Sequence, residues 1–239
     1  MDIQRIQAFL QGIAANNNRE WFQANRAEYD TVKADFEQGL AELIAALATI
    51  DPEIAHLKPK DCTYRFNRDT RFSPDKSPYK RHFGAYICAK GRKALRGGYY
   101  FHIQPSNNLI AVGCYYLPTN ILTSCRNEIM GNIDEWLKSV ENKDFIGHFG
   151  KVGEGKWDGT SIATDKGFGL GFLKTCPKGF PKDYEHIEYL RMKDYCCWLK
   201  LPDDFFQQRD WATRLASICK IGKPMMDIIN SCLLYTSPS

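Results

Sequence analysis

A chain of 239 residues can bury a substantial core, and 44% hydrophobic with 25% charged residues is the make-up of an ordinary globular protein. A formal net charge of +4 is too small for a nucleic-acid coat, and no stretch approaches the ~20 apolar residues of a membrane span. Nine cysteines, odd in number and without a Cys-x-x-Cys pair, argue against a disulfide framework or a zinc knuckle and for reduced thiols in a cytoplasmic protein.

Met1 to Leu10 carries Asp2 and Arg5 without a long apolar run and does not read as a secretory signal. Asp2 is instead an N-cap, with Ile3, Ile6, Phe9, Leu10 and Ile13 at helical spacing. The Asn16-Asn17-Asn18 run stops that helix. Asn17 with Glu20 then resembles a capping box opening a second, long helix with Tyr29, Val32, Phe36, Leu40, Leu43, Ile44 and Leu47 on one stripe. Asp51-Pro52 ends it and could cap a short one; two helices thus precede the basic segment Tyr64–His82. Beyond His82 the period changes from helical to alternating. Phe83–Ala89, Tyr99–Gln104 and Leu109–Tyr116 read as a three-stranded meander, with Tyr64–Phe66 a fourth strand. Pro118 opens a helix through Ile121, Leu122, Cys125 and Ile129, and Asn132 or Asp134 another through Trp136 and Val140. Lys151–Gly171 is glycine-rich and irregular, Pro181–Arg191 helical, and Tyr195–Leu201 a further strand. Asp203 or Asp204 caps a last helix that Gly222 ends. The predicted fold is α+β: N-terminal helices, a mainly antiparallel sheet (a meander of three to five strands) and C-terminal helices, one domain over 1–230. Ser231–Ser239 departs from the style of the preceding helix and reads as a non-native tail.

The charge sits in one place. Tyr64 to His82 holds Arg65, Arg68, Arg71, Lys76, Lys80 and Arg81 against Asp69 and Asp75, a surplus equal to that of the whole chain. Two Ser-Pro steps stiffen this segment as ordered, non-helical backbone. Guanidinium offers a planar fork that fits phosphate or carboxylate bidentately. If the backbone is extended, Tyr64, Phe66 and Arg68 share the inward face. The competing reading is a salt-bridge clamp of the same residues. Arginine does not shuttle protons, so the nearby candidates for acid–base work are Asp69, Tyr79, His82 and His102. Tyr99-Tyr100-Phe101 with Tyr115-Tyr116 could stack bases beside the loop, although strand aromatics more often pack a core.

Two nucleotide-like patterns fail. Gly150-Lys-Val-Gly-Glu-Gly155-Lys156 has phosphate-loop spacing, but Trp157 stands where Ser or Thr would hold magnesium. Gly167-x-Gly169-x-Gly171 lacks the last spacing of a dinucleotide fingerprint. The five histidines are dispersed, so no metal site and no cofactor is implied.

Arg-Phe-Asn-Arg-Asp-Thr-Arg-Phe-Ser-Pro-Asp-Lys-Ser-Pro-Tyr-Lys, from Arg65 to Lys80, resembles the signature of the conserved hypothetical family called domain of unknown function 2461. Asn17, Asn18, Glu20, Trp21 and Phe22 resemble its N-terminal element. Tyr99-Tyr100 with the strand to Pro118, Arg126, and Gly179-Phe180-Pro181-Lys182-Asp183 also fit, so the likeness runs to about Asn230. Ala111-Val112-Gly113 departs from a richer glycine run. The resemblance implies one cytosolic domain and assigns no activity. These readings together predict an anion held by Arg65, Arg68, Arg71, Lys76 and Lys80, with Arg126 a further contact. Asp69, Tyr79 and His102 are the catalytic candidates should there be a reaction. Nucleic-acid binding through the same patch, and an internal clamp, are the alternatives.

Overall fold

The computed structural model describes residues 1–156 and 162–234; Trp157 and the end of the proposed tail lie outside the described residues. Five strands, β1 (Phe83–Ile87), β2 (Gly98–Ile103), β3 (Asn108–Cys114), β4 (Lys166–Phe168) and β5 (Tyr195–Leu201), form an open antiparallel sheet in the order β1-β2-β3-β5-β4. Helices precede, interrupt and follow it, so the α+β expectation holds. The residues gather into two compact units, the first made of Met1–Arg92, Tyr100–Leu109 and Leu201–Ala216, the second of Lys93–Tyr99, Ile110–Lys200 and Ser217–Ser239.

The first unit begins with α1 (Ile3–Ala15), which buries the five apolar residues its spacing marks, under an Asp2 cap that accepts the Arg5 N–H at 3.0 Å. The long helix expected next is two, α2 (Arg19–Ala24) and α3 (Arg26–Ala48), separated at Asn25. Asn18, not Asn17, caps α2, accepting the Trp21 N–H at 2.8 Å. A 3-10 turn at Pro52–Ile54 and a one-turn helix α4 (Pro59–Cys62) follow, so more than two helices precede the basic loop. The core beneath them is aromatic: Phe9, Phe22, Tyr29, Phe66, Tyr79 and Phe83 pack ring on ring, and Phe36 and Trp211 lie near-parallel to Phe101. Asp203 caps no helix. Its carboxylate accepts the Ser106 N–H at 3.0 Å and the Asn108 amide at 2.7 Å, holding the turn between β2 and β3 where Ser106 adopts φ 59°. The last helix starts later than expected, after a 3-10 turn at Phe205–Gln207.

In the second unit α5 (Thr119–Gly131) and α6 (Ile133–Val140) follow the expected starts, while α7 (Lys143–Phe149), capped by Asn142, was not anticipated. Trp136 on α6 meets Tyr189 and Tyr195 edge-on. The glycines of the two failed nucleotide patterns have a packing role. A Cβ on Gly155 or Gly167 would lie within 2.1 Å of the Trp198 ring, so this stretch stays bare where the indole is seated. Gly167 lies within β4, pairing with Trp198 of β5. The helix expected over Pro181–Arg191 shrinks to α8 (Ile187–Leu190). Gly222 does not end the final helix: α9 (Trp211–Leu234) runs through it and past Ser231, with Gly222 seated against Val112 and Cys197.

Candidate functional site

In the first unit the segment Tyr64–His82 is a hairpin. Arg68 N–H donates to Pro78 O and Lys80 N–H to Phe66 O, both at 2.9 Å, and Asn67 bridges Tyr79. It is fixed from outside by Asn17, whose amide donates to Tyr79 O at 2.9 Å and accepts Tyr79 N–H at 3.0 Å. Sequence reasoning gave Asn17 a capping role; nothing local announces a partner 62 residues away. Phe66 and Tyr79 are buried, Tyr79 stacked on Phe22 at 4.1 Å, while Tyr64 turns outward.

Most of the loop's cations are held by the loop itself. Arg68 Nη1 donates to Asp75 at 2.7 Å and to both oxygens of Ser77, and its Nη2 to Ser73. Arg71 takes Asp69 bidentately at 3.0 and 2.7 Å, and the Lys76 ammonium donates to Thr70 O at 3.0 Å. The Arg71 hydrogen bonds hold Asp69 below the usual carboxylate range. The Ser77 N–H and hydroxyl, with Arg68, bring Asp75 down to about 2. Arg81 reaches Asp75 at 3.8 Å. Arg65 and Lys80 differ: among the described residues neither has a carboxylate within 4.0 Å. Lys80 lies over the Tyr64 ring at 5.2 Å, and burial, then Arg65, lowers its ammonium below its ordinary value.

Behind the hairpin, His102 on β2 is enclosed. Gln104 Oε1 can only accept, so Nε2 carries the proton and donates to it at 3.0 Å, leaving Nδ1 to accept from the Tyr100 hydroxyl at 2.9 Å. His82 stacks on the ring at 4.3 Å. Burial pushes His102 down to about 4; burial, then His102 and Lys80, push His82 down to about 3. Both imidazoles are neutral at pH 7.

Arg126 belongs to the second unit. Leu122, Arg126 and Ile129 follow one another at helical spacing, which sets the guanidinium on the buried face of α5, 4% exposed. Its Nε–H donates to Leu190 O at 2.6 Å, at the C-terminal end of α8, and Nη2 donates to Met192 O at 3.0 Å. Among the described residues no carboxylate lies within 4.0 Å of it, and Nη1 makes no protein hydrogen bond. Arg126 lines a cavity of about 600 Å³ with Tyr115, Tyr116, Lys178, Lys193 and Asp194. Asp194, 3% exposed, fixes one wall: its carboxylate accepts the N–H groups of Leu170 and Gly171 and the Cys196 thiol. Burial raises it above the usual carboxylate range, with those hydrogen bonds opposing. Gly113, at φ 120°, brings the end of β3 so close to β5 that a Cβ would lie 2.1 Å from Tyr195 O. That close approach is to protein backbone and leads directly into Tyr115-Tyr116. Tyr115, Tyr116, Lys178, Lys193 and Asp194 were not picked out as one site, because they join only through the fold.

Residues 5–228 match the family model described as conserved hypothetical protein (DUF2461). No curated protein and no solved structure matches the chain.

Proposed function

This chain belongs to the conserved hypothetical family DUF2461, a membership that assigns no chemistry, and we propose from the geometry that it binds a small organic anion. The anion, a carboxylate or phosphate, enters the cavity of the second unit and meets Arg126. One observation carries this: a guanidinium 4% exposed, steadied by two backbone carbonyls, has no carboxylate within 4.0 Å among the described residues and lines open space. A buried charge without an ion-pair partner is costly, and an anion at Nη1 offsets that cost while leaving both carbonyl contacts in place. Lys178 and Lys193 on the same cavity add positive potential, against the one carboxylate of the lining, Asp194, whose oxygens are taken up by the Leu170 and Gly171 N–H groups and the Cys196 thiol.

A second reading keeps the anion at the basic loop, supported by Arg65 and Lys80, neither of which has a carboxylate within 4.0 Å among the described residues. Arg68, Arg71 and Lys76 already have partners there, which favours a clamp role for those three. Calorimetric titration with phosphate and with acetate separates the two. Arg126→Gln is expected to weaken binding about tenfold to a hundredfold, from the loss of one charge-assisted contact, while Arg65→Gln with Lys80→Gln leaves it unchanged. The reverse pattern would move the site to the loop. Binding of single-stranded nucleic acid by the patch would instead fall with salt, by roughly 0.7 in log–log slope for each phosphate contacted.

A further inference from the structure

The same cavity carries an indication of what is attached to the anion. Tyr115 and Tyr116 are consecutive, 64% and 77% exposed, and both line the cavity that holds Arg126. Exposed tyrosines scattered singly need no explanation, but two together on the mouth of a cavity with a charged floor form an amphipathic receptor. Their backbone is fixed on both sides. Gly113 presses β3 against β5 just before them, and buried Leu117 with Pro118, the N-cap of α5, follows. Aromatic side chains carried on held backbone have only two torsions to fix, so they bind flat partners at low entropic cost. The cavity, about 600 Å³, is far larger than an inorganic anion needs and lies within the range of small-metabolite sites.

We propose, resting on the anion-binding reading above, that the ligand is an aryl carboxylate or aryl phosphate. Its charged head meets Arg126 and its flat body lies against Tyr115 and Tyr116. Lys178 and Lys193 contribute to the field at the head and do not distinguish one body from another.

The test is a matched series of probes titrated calorimetrically: acetate, benzoate and 2-naphthoate, then inorganic phosphate and phenyl phosphate. Wild type is compared with Arg126→Gln and with the double variant Tyr115→Ser, Tyr116→Ser; circular dichroism confirms that each is folded, and both tyrosines are exposed enough for serine to be tolerated. Affinity is expected to rise about tenfold or more from acetate to 2-naphthoate. The double variant is expected to remove that gain while leaving acetate and phosphate binding as in wild type. If 2-naphthoate binds no tighter than acetate, or the tyrosine variant weakens every probe equally, the aryl assignment is overturned and the anion site stands. If no probe binds wild type, or Arg126→Gln binds all of them unchanged, the anion site falls and the aryl assignment with it.

Discussion

The stacked pair His82 and His102 makes the first unit's stability depend on pH in a way the structure quantifies. Nδ1 of His102 already accepts from Tyr100 and its Nε2–H is committed to Gln104, so a second proton must displace the Tyr100 hydroxyl. Burial, then the His102 ring and Lys80, make an added charge at His82 equally unwelcome. With folded values of about 4 and about 3 against an ordinary 6.5, both imidazoles stay neutral in the fold while the unfolded chain takes up protons. Stability is therefore full above pH ~6.5 and is lost as pH falls toward the folded values. At pH 5 each imidazole removes about 2 kcal/mol, about 4 kcal/mol for the pair, relative to pH 7.5. Urea denaturation of wild type, His82→Gln and His102→Gln from pH 7.5 to pH 5 isolates these two groups, since every other titration cancels in the difference. Each single variant is expected to lose about half of the pair's acid sensitivity, and the His82 and His102 imidazole resonances of the folded protein to stay nearly unshifted down to pH 5. Variants with the same pH slope as wild type would refute the reasoning.

Asn17→Ala removes two hydrogen bonds to the Tyr79 backbone and is expected to cost about 2 kcal/mol in urea denaturation; a loss below a few tenths would assign Tyr79's position to its ring stacking alone. Gly113→Ala places a methyl 2.1 Å from Tyr195 O at φ 120°, with an expected loss of about 3 kcal/mol or more by thermal melting. A melting temperature equal to wild type would contradict that close approach. Arg68→Ala is expected to speed amide exchange of Ser73, Ser77 and Lys80 by about tenfold while amides of β1 and β2 keep their protection. Unchanged exchange in the loop would remove Arg68 from its role as the hub of the hairpin.

The elements legible in the sequence were those whose own periodicity meets a core. Tyr195–Leu201 is a nearly continuous aromatic and apolar run, buried throughout its first four residues, and α1 carries its stripe, so both emerge with the expected limits. What failed depended on partners far along the chain. Gly222 looks like a helix stop, yet in the fold it is the flat spot that admits Val112 and Cys197. Three residues, Lys166–Phe168, are too few to show a period, and β4 is a strand because β5 supplies its ladder. The basic loop was found by charge counting, and its Asp69–Arg71 pair is local enough to read from sequence. Arg126 stands at an apolar position of α5, a visible anomaly, but the carbonyls that hold it are 64 and 66 residues away. The cavity it lines therefore could not be assembled from spacing.

Anomalous diffraction from crystals soaked in selenate tests the central claim most directly, because the selenium marks a compact oxyanion without ambiguity. The expected result is a peak in the cavity of the second unit with an oxygen about 3 Å from Arg126 Nη1. A peak beside Arg65 and Lys80 with the Arg126 cavity unmarked, or no peak at either place, would contradict it.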